Sequence, residues 1–257
     1  MREAATYEMR RYVTSKWVKT AALLENGELR ANVPKTVRMT RSSLQSMVHE
    51  YRMVYIKPNI GTFGNGVMRV EWNPEAIPSY KYQLRESPRS FTSFDSMYEE
   101  ILRKTNKRNY LVQKGIHLLK YHKRRFDIRV MVQKNLKSQW ETSGWIGRVA
   151  HPKKIVTNYH SGGTLKSVEL LLDSYLNNHA KIQYINKLKL LGTKVAKQLH
   201  RRFPGIKEIG IDLALDEQLT PWILEVNTKP DPYIFRVLKN KTVFSKVIRY
   251  AHANQKK

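Results

Sequence analysis

The sequence predicts an α+β fold, in which hairpins of short strands are combined with a few helices. Short apolar runs bounded by turn residues recur through the middle and the end of the chain, as expected for strands joined by hairpins. One long segment, Asn178 to Phe203, instead spaces its apolar residues three or four positions apart, as an amphipathic helix does. Strands and helices do not alternate one for one, so a doubly wound parallel sheet is not expected.

In the first half of the chain, residues 1–35 are basic and weakly patterned, and no element is predicted there. A helix is expected from Ser42 or Ser43, which could cap it, to Tyr51. A helix that begins at Phe94 should turn Met97, Ile101 and Leu102 inward. The strands predicted in this half are Met53–Ile56, Gly66–Trp72, Ser79–Arg85 and Tyr110–Lys114.

In the second half, Pro204-Gly205 should end the long helix. A basic helix after Pro232 closes the chain. The inward face of the long helix is predicted to consist of Ile182, Ile185, Leu188, Leu191, Val195 and Leu199. The strands predicted in this half are Phe126–Gln133, Gln139–Ala150, Glu208–Leu215 and Trp222–Val226.

The chain carries 47 lysines and arginines against 21 aspartates and glutamates, which gives a net charge of +26. Such a field favours a polyanionic neighbour, whether nucleic acid, acidic polymer or acidic protein. It equally suits a solubilising surface that tolerates an anionic substrate such as a nucleotide. The densest basic run, Lys120–Arg125, indicates by itself only a basic turn. No zinc-finger, RNA-recognition or heptad-linked basic-helix pattern is present.

Composition excludes several classes of protein. A hydrophobic fraction of 41% and an aromatic fraction of 10% are typical of a folded globular chain. The absence of cysteine means that any metal site must use oxygen or histidine ligands. No apolar run approaches the roughly 20 residues needed to span a bilayer. The N-terminus lacks the apolar core of a secretory signal, so synthesis in the cytoplasm is the default expectation.

Two acidic residues occupy the apolar strands near the C-terminus. On adjacent antiparallel strands, Asp212 and Glu225 could emerge side by side on one face. Asn227 would face the same way, because side chains alternate along a strand. Two carboxylates and an amide oxygen suit a Mg²⁺ ion that is also held by phosphates. The alternative is a pair of edge carboxylates neutralised by lysines, but this leaves acidic residues in such apolar strands unexplained.

A glycine-rich segment follows the strand that ends at Lys57-Pro58. Gly61, Gly64 and Gly66 allow a tight turn that presents backbone N–H groups to an anion. The segment is neither a Walker A loop nor a dinucleotide-binding fingerprint, because a strand comes next. It suits a flap that closes over phosphates, and an ordinary hairpin is an equal alternative.

Two further segments carry polar residues of interest. Asp127 and Arg129 share one strand face, where the arginine could contact a phosphate or a carboxylate, or form a cross-strand ion pair. The loop Val156–Thr164, which contains Asn158, could line an acceptor pocket or be an ordinary loop. His160 alone is more often structural than catalytic.

Taken in order, these segments resemble the ATP-grasp superfamily, and more closely the YheC/YheD endospore coat-associated family. The resemblance runs from about Val33 to about Phe235. It rests on the lysine and glycine flap, Leu111–Ile116, Phe126–Asn135, the Asn-x-x-x-Gly-Gly loop and Trp222–Pro230. It implies an ATP-grasp fold, in which two α+β subdomains clasp a nucleotide. The expected domains are a basic segment 1–32, a remnant of the pre-ATP-grasp domain that is otherwise largely missing, and the ATP-grasp domain 33–257. The latter divides into 33–114, with flap and hinge strand, and 115–257, with the metal site.

The resemblance also implies a role for each matching residue. Lys57 would contact the ATP phosphates under a flap shaped by Gly61, Gly64 and Gly66. Arg129 would stabilise the transferred phosphoryl group or bind the carboxylate substrate, and Asn158 would lie near the phosphates or the acceptor. Mg²⁺, or Mn²⁺ in its place, would be coordinated by Asp212, Glu225 and Asn227. The hinge, where family members usually have glutamine or glutamate in place of Lys114, would bond adenine through Gln113, Lys114, Gly115 and Ile116.

The implied activity is that of an ATP-dependent carboxylate–amine ligase that works through an acyl phosphate, with unidentified carboxylate and amine substrates. The resemblance implies a spore-coat location, with coat proteins or an acidic polymer as partners. Two alternatives stand beside this one. The chain is a non-catalytic coat protein that retains the fold, or it is a basic protein that binds polyanions, nucleic acid among them.

Overall fold

The structure of the protein is a computed structural model that describes residues 11–106 and 108–256. The first ten residues of the predicted segment 1–32 lie outside this range. Within it, seven helices form: α1 Lys16–Leu24, α2 Gly27–Arg30, α3 Arg41–Tyr51, α4 Phe94–Thr105, α5 Val168–Leu172, α6 Asn178–Arg202 and α7 Lys241–Lys256. None of these helices is long and apolar enough to cross a membrane.

The same residues form two antiparallel sheets. One sheet contains the strands of the first half of the chain, and the other contains those of the second half. The strands of the first half are β1 Thr36–Arg38, β2 Met53–Pro58, β3 Met68–Trp72, β4 Tyr80–Leu84, β5 Ser87–Phe91 and β6 Tyr110–Lys114. Those of the second half are β7 Lys120–Tyr121, β8 Arg124–Lys134, β9 Trp140–Val149, β10 Thr164–Lys166, β11 Glu208–Leu215 and β12 Pro221–Asn227. The mixed order of strands and helices confirms the predicted α+β class.

The first lobe consists of one sheet in the order β1-β6-β2-β3-β4-β5, with α3 and α4 packed on one face. Alternation along β2 divides its residues between the two faces. Val54 and Ile56 are fully buried in the core beneath the helices. Tyr55 and Lys57 therefore point to the other face. There the hydroxyl of Tyr55 donates to the carbonyl of Ile155 in the second lobe, so this face looks into the cleft between the lobes.

The second lobe contains the sheet β10-β9-β8-β11-β12, with β7 paired to β8. One face packs against α6 and α1, and buries the apolar residues of β8 and β11 in the largest core of the molecule. The other face is divided in two. At one end, Val247 of α7 and Phe235 of the 3₁₀ turn before it, Tyr233–Val237, cover Met131 and Ile146. The uncovered end faces the first lobe and carries the polar residues described below.

The N-terminal segment contains helices that were not predicted from the sequence. Residues 11–35 contain α1 and α2, and α1 is capped by Ser15, whose hydroxyl accepts from the Val18 N–H. The segment packs on the second lobe, where Gln198 donates to the carbonyl of Ala22 and the N–H of Val13 donates to the Thr228 hydroxyl. The helix was missed because two of its four buried residues are lysines, which hides the apolar periodicity.

Three details of the predicted elements were wrong. Thr40, rather than a serine, caps α3 through a reciprocal pair of hydrogen bonds with Ser43. Leu102 is 44% exposed, because Phe94, Met97 and Ile101 already complete the inward face of α4. Ile182 is 63% exposed, since α6 turns the adjacent Lys181 inward to pair with Asp173. The basic helix predicted after Pro232 is confirmed as α7, which a short 3₁₀ turn, Tyr233–Val237, precedes.

Candidate functional site

Asp212 and Glu225 lie opposite each other on the neighbouring strands β11 and β12, as predicted. The hairpin between these strands is closed by Asp216, whose Oδ1 accepts from the N–H groups of Gln218 and Thr220. Asn227 pairs in register with Gly210, two positions further along, so it belongs to the same face as Glu225. The hairpin thus brings the three predicted metal ligands to one edge of the cleft.

Two arginines hold the carboxylate of Asp212. Arg129, opposite it on β8, places Nε 2.5 Å from Oδ1, and Arg148 on β9 places Nη2 3.0 Å from Oδ2. Burial alone would raise the pKa of Asp212, but the charges and hydrogen bonds of the two arginines outweigh it and lower the pKa to about 2. Asp212 is therefore ionised at any physiological pH.

Arg148 was not singled out from the sequence, although it is one of the most deeply buried charged residues. It is 4% exposed and forms a two-pronged pair with Asp127, with Nε–Oδ1 and Nη2–Oδ2 distances of 2.9 and 2.5 Å. Burial opposes its charge, yet Asp127 and Asp212 raise its pKa above the ordinary arginine value. The available signal was an arginine within the apolar end of β9, between Gly147 and Val149.

Lys57 lies on the other side of the cleft, on β2. Its Nζ donates to Oε1 of Gln113 on the neighbouring strand β6, at 2.6 Å. Burial lowers the pKa of Lys57 to about 8, although the nearby Glu225 acts in the opposite direction. The amide of Gln113 is positioned by donating to the Thr36 hydroxyl at 3.1 Å. This arrangement presents a desolvated ammonium group to whatever enters the cleft.

Two more lysines, neither of them predicted as a site residue, reach the cleft from α1. Lys16 Nζ lies 3.2 Å from Glu225 Oε1 and donates to the carbonyl of Gly61 at 2.9 Å. Lys19, one turn later, is 5% exposed, and burial lowers its pKa to about 8. Within residues 11–106 and 108–256, its ammonium group has no hydrogen-bond or ion-pair partner.

These lysines and Glu225 enclose a cavity of about 20 Å³, which has room for about one water molecule. A larger ligand therefore does not fit in this cavity. The cavity is lined by Lys16, Lys19, Thr20, Leu23, Val33, Thr36, Lys57, Leu111, Gln113, Ile223, Leu224, Glu225 and Val226.

The glycine-rich flap touches the loop that contains Asn158. Gly64 has a φ of +73°, and a Cβ there would lie 2.9 Å from Nδ2 of Asn158. Gly66 also has a positive φ, +76°, whereas Gly61 does not and contributes its carbonyl to Lys16. Ser161 donates to the carbonyl of Phe63 at 3.2 Å. The flap is thus closed on this loop.

Asn158 also contacts the charged cluster, since its Oδ1 accepts from Arg148 at 3.3 Å. This bond connects the loop under the flap to the arginine that holds Asp212. Asn158 is therefore placed between the flap and the charged cluster.

Two backbone N–H groups of the predicted hinge are already hydrogen-bonded within the first lobe. The N–H groups of Lys114 and Gly115 donate to the carbonyls of Lys35 and Met53. Gly115 is required sterically, because a Cβ there would lie 2.7 Å from the Met53 carbonyl oxygen and closer still to its sulfur. The ammonium group of Lys114 lies over the rings of Tyr51 and Trp222, at 5.2 and 5.4 Å, and Lys114 does not line the cavity. Ile116 is buried.

The electrostatics of the cleft favour an anion held together with a cation. Five cationic side chains surround three carboxylates, which leaves an excess of positive charge: Lys16, Lys19, Lys57, Arg129 and Arg148 against Asp127, Asp212 and Glu225. Among the residues described, no three histidines or acidic residues cluster tightly enough to hold a metal by themselves. The donor set nevertheless fits Mg²⁺, because Asp212, Glu225 and the Asn227 amide are hard oxygen ligands and phosphate oxygens usually complete such a site.

Comparison with known proteins settles the family. The model of the YheC/D-like ATP-grasp family matches residues 9–253. The chain belongs to this family. The structural match described below also shows the ATP-grasp fold, and so confirms that prediction.

Two curated relatives from Bacillus subtilis (strain 168) are named endospore coat-associated proteins. This YheC/D-like chain is 27% identical to YheD over 223 residues, which is 84% of the chain and 46% of YheD. It is 24% identical to YheC over 224 residues, 86% of the chain and 61% of YheC. The chain thus spans about half to three fifths of the length of these relatives.

The fold is also found in solved structures. Carboxyaminoimidazole ribonucleotide synthase from Aspergillus clavatus, solved in complex with ATP, superposes with a TM-score of 0.56 at 12% identity. The match covers 93% of this chain and 51% of that enzyme. At this identity the likeness shows the common fold of the two proteins.

Proposed function

We propose that this YheC/D-like ATP-grasp protein is an ATP- and Mg²⁺-dependent ligase that joins a carboxylate to an amine through an acyl phosphate. The observation that carries the proposal is the alignment of Asp212 and Glu225 on one edge of a cleft. The same sheet adds Arg129 and Arg148, and the facing lobe adds Lys57. A polyphosphate needs such a combination, because it brings several negative charges that lysines, arginines and a divalent cation must balance together.

Asp212, Glu225 and Asn227 would hold Mg²⁺, whose chemistry is to neutralise charge on the phosphates as the phosphoryl group is transferred. Lys16 and Lys57 would contact the phosphates from opposite walls. Glu225 already faces one cation, the ammonium group of Lys16. The carboxylate is thus oriented to receive positive charge before any ligand enters.

The reaction that fits these residues has two steps. In the first, a carboxylate oxygen attacks the γ-phosphorus of ATP, the bond to the β–γ bridging oxygen breaks, and ADP leaves. In the second, an amine nitrogen attacks the carbonyl carbon of the acyl phosphate, inorganic phosphate leaves, and the nitrogen loses a proton. Arg129 would orient the carboxylate or the transferred group, since a guanidinium binds either in two-pronged geometry. Arg148, which is already paired with Asp127, would position Asp212.

Closure of the flap would protect the acyl phosphate from water. In the structure, the flap already meets the loop below it through Ser161 and Asn158. The link from Asn158 to Arg148 would couple that closure to the position of the charged cluster.

The names of the two relatives support a second proposal, that the chain associates with the endospore coat and binds nucleotide there without turnover. Both proposals predict binding of ATP, and they differ in whether ADP is released when substrates are present.

The deciding experiment measures ADP release by purified protein with ATP, Mg²⁺ and a panel of amino acids and short peptides. A ligase should release ADP with at least one donor and acceptor pair, and Glu225→Gln should abolish this release. The matched control is Glu217→Gln, an exposed glutamate in the turn that follows β11. Saturable ATP binding without release for any pair would favour the coat proposal, and absence of nucleotide binding would overturn both.

A further inference from the structure

A second binding site lies at the other end of β9. We propose that the groove between β9 and α7 binds an extended acidic peptide, independently of the nucleotide. The groove has a volume of about 600 Å³. It is lined by Ser143 and Trp145 of β9 and, on the α7 side, by Lys241, Thr242, Val243, Ser245, Lys246 and Arg249. Arg148 is five residues from Ser143, about 17 Å along a strand, so the groove is distinct from the cleft.

One wall of the groove is an unpaired sheet edge. β8 pairs with β9 along almost the whole of β9, but β10 covers only Gly147–Val149 on the other side. In the described part of the chain, residues 140–146 therefore carry no strand on their outer side. Thr142, Ser143 and Gly144 in the middle of this stretch are buried, so an added peptide can reach the edge only at its half-buried residues Trp140, Glu141 and Trp145.

A β-bulge interrupts this edge. The register with β8 shifts between Met131 and Val132, which leaves Ser143 as the extra residue of β9. Its hydroxyl turns inward and donates to Oε1 of Gln133 at 2.5 Å. Because the bulge interrupts regular pairing, an added peptide can form only a short ladder, and much of its affinity must come from the side chains of α7.

Those side chains are cationic, and two of them lack counter-ions. Lys246 is paired with Glu141 at 2.9 Å. Lys241 and Arg249 are exposed, and neither forms an ion pair with any described residue; Lys241 donates only to the carbonyl of Arg236. The groove therefore offers two uncompensated positive charges beside a partly buried strand edge, which selects for a peptide that carries carboxylates.

The spacing of the two charges matches an extended chain. Lys241 and Arg249 are eight residues apart on α7, which corresponds to about 12 Å along the helix axis. In a strand, residues i and i+4 point to the same side and lie about 13 Å apart. The groove is thus suited to a peptide with acidic residues at positions i and i+4.

The aromatic residue of the groove favours peptide over nucleic acid. Lys189 lies over the Trp145 ring, 3.9 Å from its centroid, and the indole N–H donates to Glu169 at 3.0 Å. One face of the ring and its N–H are therefore already used within the protein. Binding of single strands relies on open aromatic faces on which bases stack, and the groove offers little of this.

The test uses two labelled peptides of equal charge, Glu-Thr-Val-Thr-Glu and Glu-Glu-Thr-Val-Thr. Their binding to the 257-residue protein is measured by fluorescence anisotropy at physiological salt. The first peptide should bind several-fold more tightly. Lys241→Ala/Arg249→Ala should weaken its binding about tenfold, the expected effect of losing two charge-assisted contacts. The control Lys187→Ala/Lys197→Ala removes two exposed charges from α6 and should change affinity less than about twofold.

Equal losses in the two double variants, equal affinity for the two peptides, or absence of binding would overturn the proposal. The proposal would also be overturned if single-stranded DNA displaced the peptide and if DNA binding fell equally in Lys241→Ala/Arg249→Ala. Those two results together would make the groove a nucleic-acid site. Affinity for ATP should be the same in both double variants. Failure of the groove is therefore distinguishable from failure of the proposed ligase function.

Discussion

Lys16 Nζ lies 3.2 Å from Glu225 Oε1 and donates at the same time to the carbonyl of Gly61 at 2.9 Å. A single ammonium group thus joins α1, the flap and the strand that carries the proposed metal ligands. These elements are far apart in sequence, and both Lys16 and Glu225 line the cavity of the cleft. The N-terminal helix is therefore part of the candidate site.

Replacing Lys16 should weaken nucleotide binding and release the flap. In Lys16→Met, we expect the affinity for ADP with Mg²⁺ to fall at least about tenfold, because a charged contact to phosphate is lost. Proteolysis within residues 59–66 should become faster, because Gly61 loses its anchor. Calorimetry and limited digestion measure the two effects. The control is Lys194→Met, which removes a half-exposed partner of Glu28; if both variants behave alike, Lys16 has no special role.

Removing the charge of Asp212 should destabilise the fold. Asp212→Asn leaves Arg129 and Arg148 short of one buried counter-ion, and a loss of about 3 kcal/mol in the free energy of unfolding is expected. Asp95→Asn breaks an exposed pair with Arg41 and should cost less than about 1 kcal/mol. Urea denaturation of the two variants measures the difference. Similar losses in both would contradict the assignment of Asp212 as the centre of a buried charge network.

Lys57 should make stability depend on pH in the alkaline range. Its pKa is lowered to about 8 in the folded protein by burial, against about 10.4 in the unfolded chain. Between these values the unfolded state binds more protons, so the contribution of Lys57 to the free energy of unfolding rises with pH. The unfolding free energy of the wild type minus that of Lys57→Met should therefore increase from pH 7 to pH 10. A difference that stays constant or decreases would show that the pKa is not lowered.

Adding a methyl group to the flap should prevent its closure. In Gly64→Ala the new Cβ would lie 2.9 Å from Nδ2 of Asn158, and the backbone would keep a φ of +73°. We expect lower ADP release in the ligase assay, with faster digestion of the flap. Gly27→Ala is the matched control, since nothing lies within 4 Å of its Cβ position and it begins α2. That variant should be neutral or slightly stabilising, and impairment equal to that of Gly64→Ala would argue against a steric effect at the flap.

Part of the site could be predicted because it follows from local geometry. Side chains alternate along a strand, so the sequence sufficed to place Asp127 with Arg129, and Glu225 with Asn227. Pairing of Asp212 with Glu225 followed from the short turn between their strands. The roles of these residues in metal and phosphate binding stay predictions, as does the division of the chain into segments 1–32, 33–114 and 115–257.

The partners of these residues could not be predicted, because they come from distant parts of the chain. Arg148 reaches Asp212 only because β9 lies beside β8, and β8 lies beside β11. Lys16 reaches Glu225 only because α1 folds back onto β12. In each case a charge that looks like ordinary surface in the sequence becomes buried and paired. Local alternation fixed which side chains share a face, whereas long-range packing determined which charges lose water and must therefore find each other.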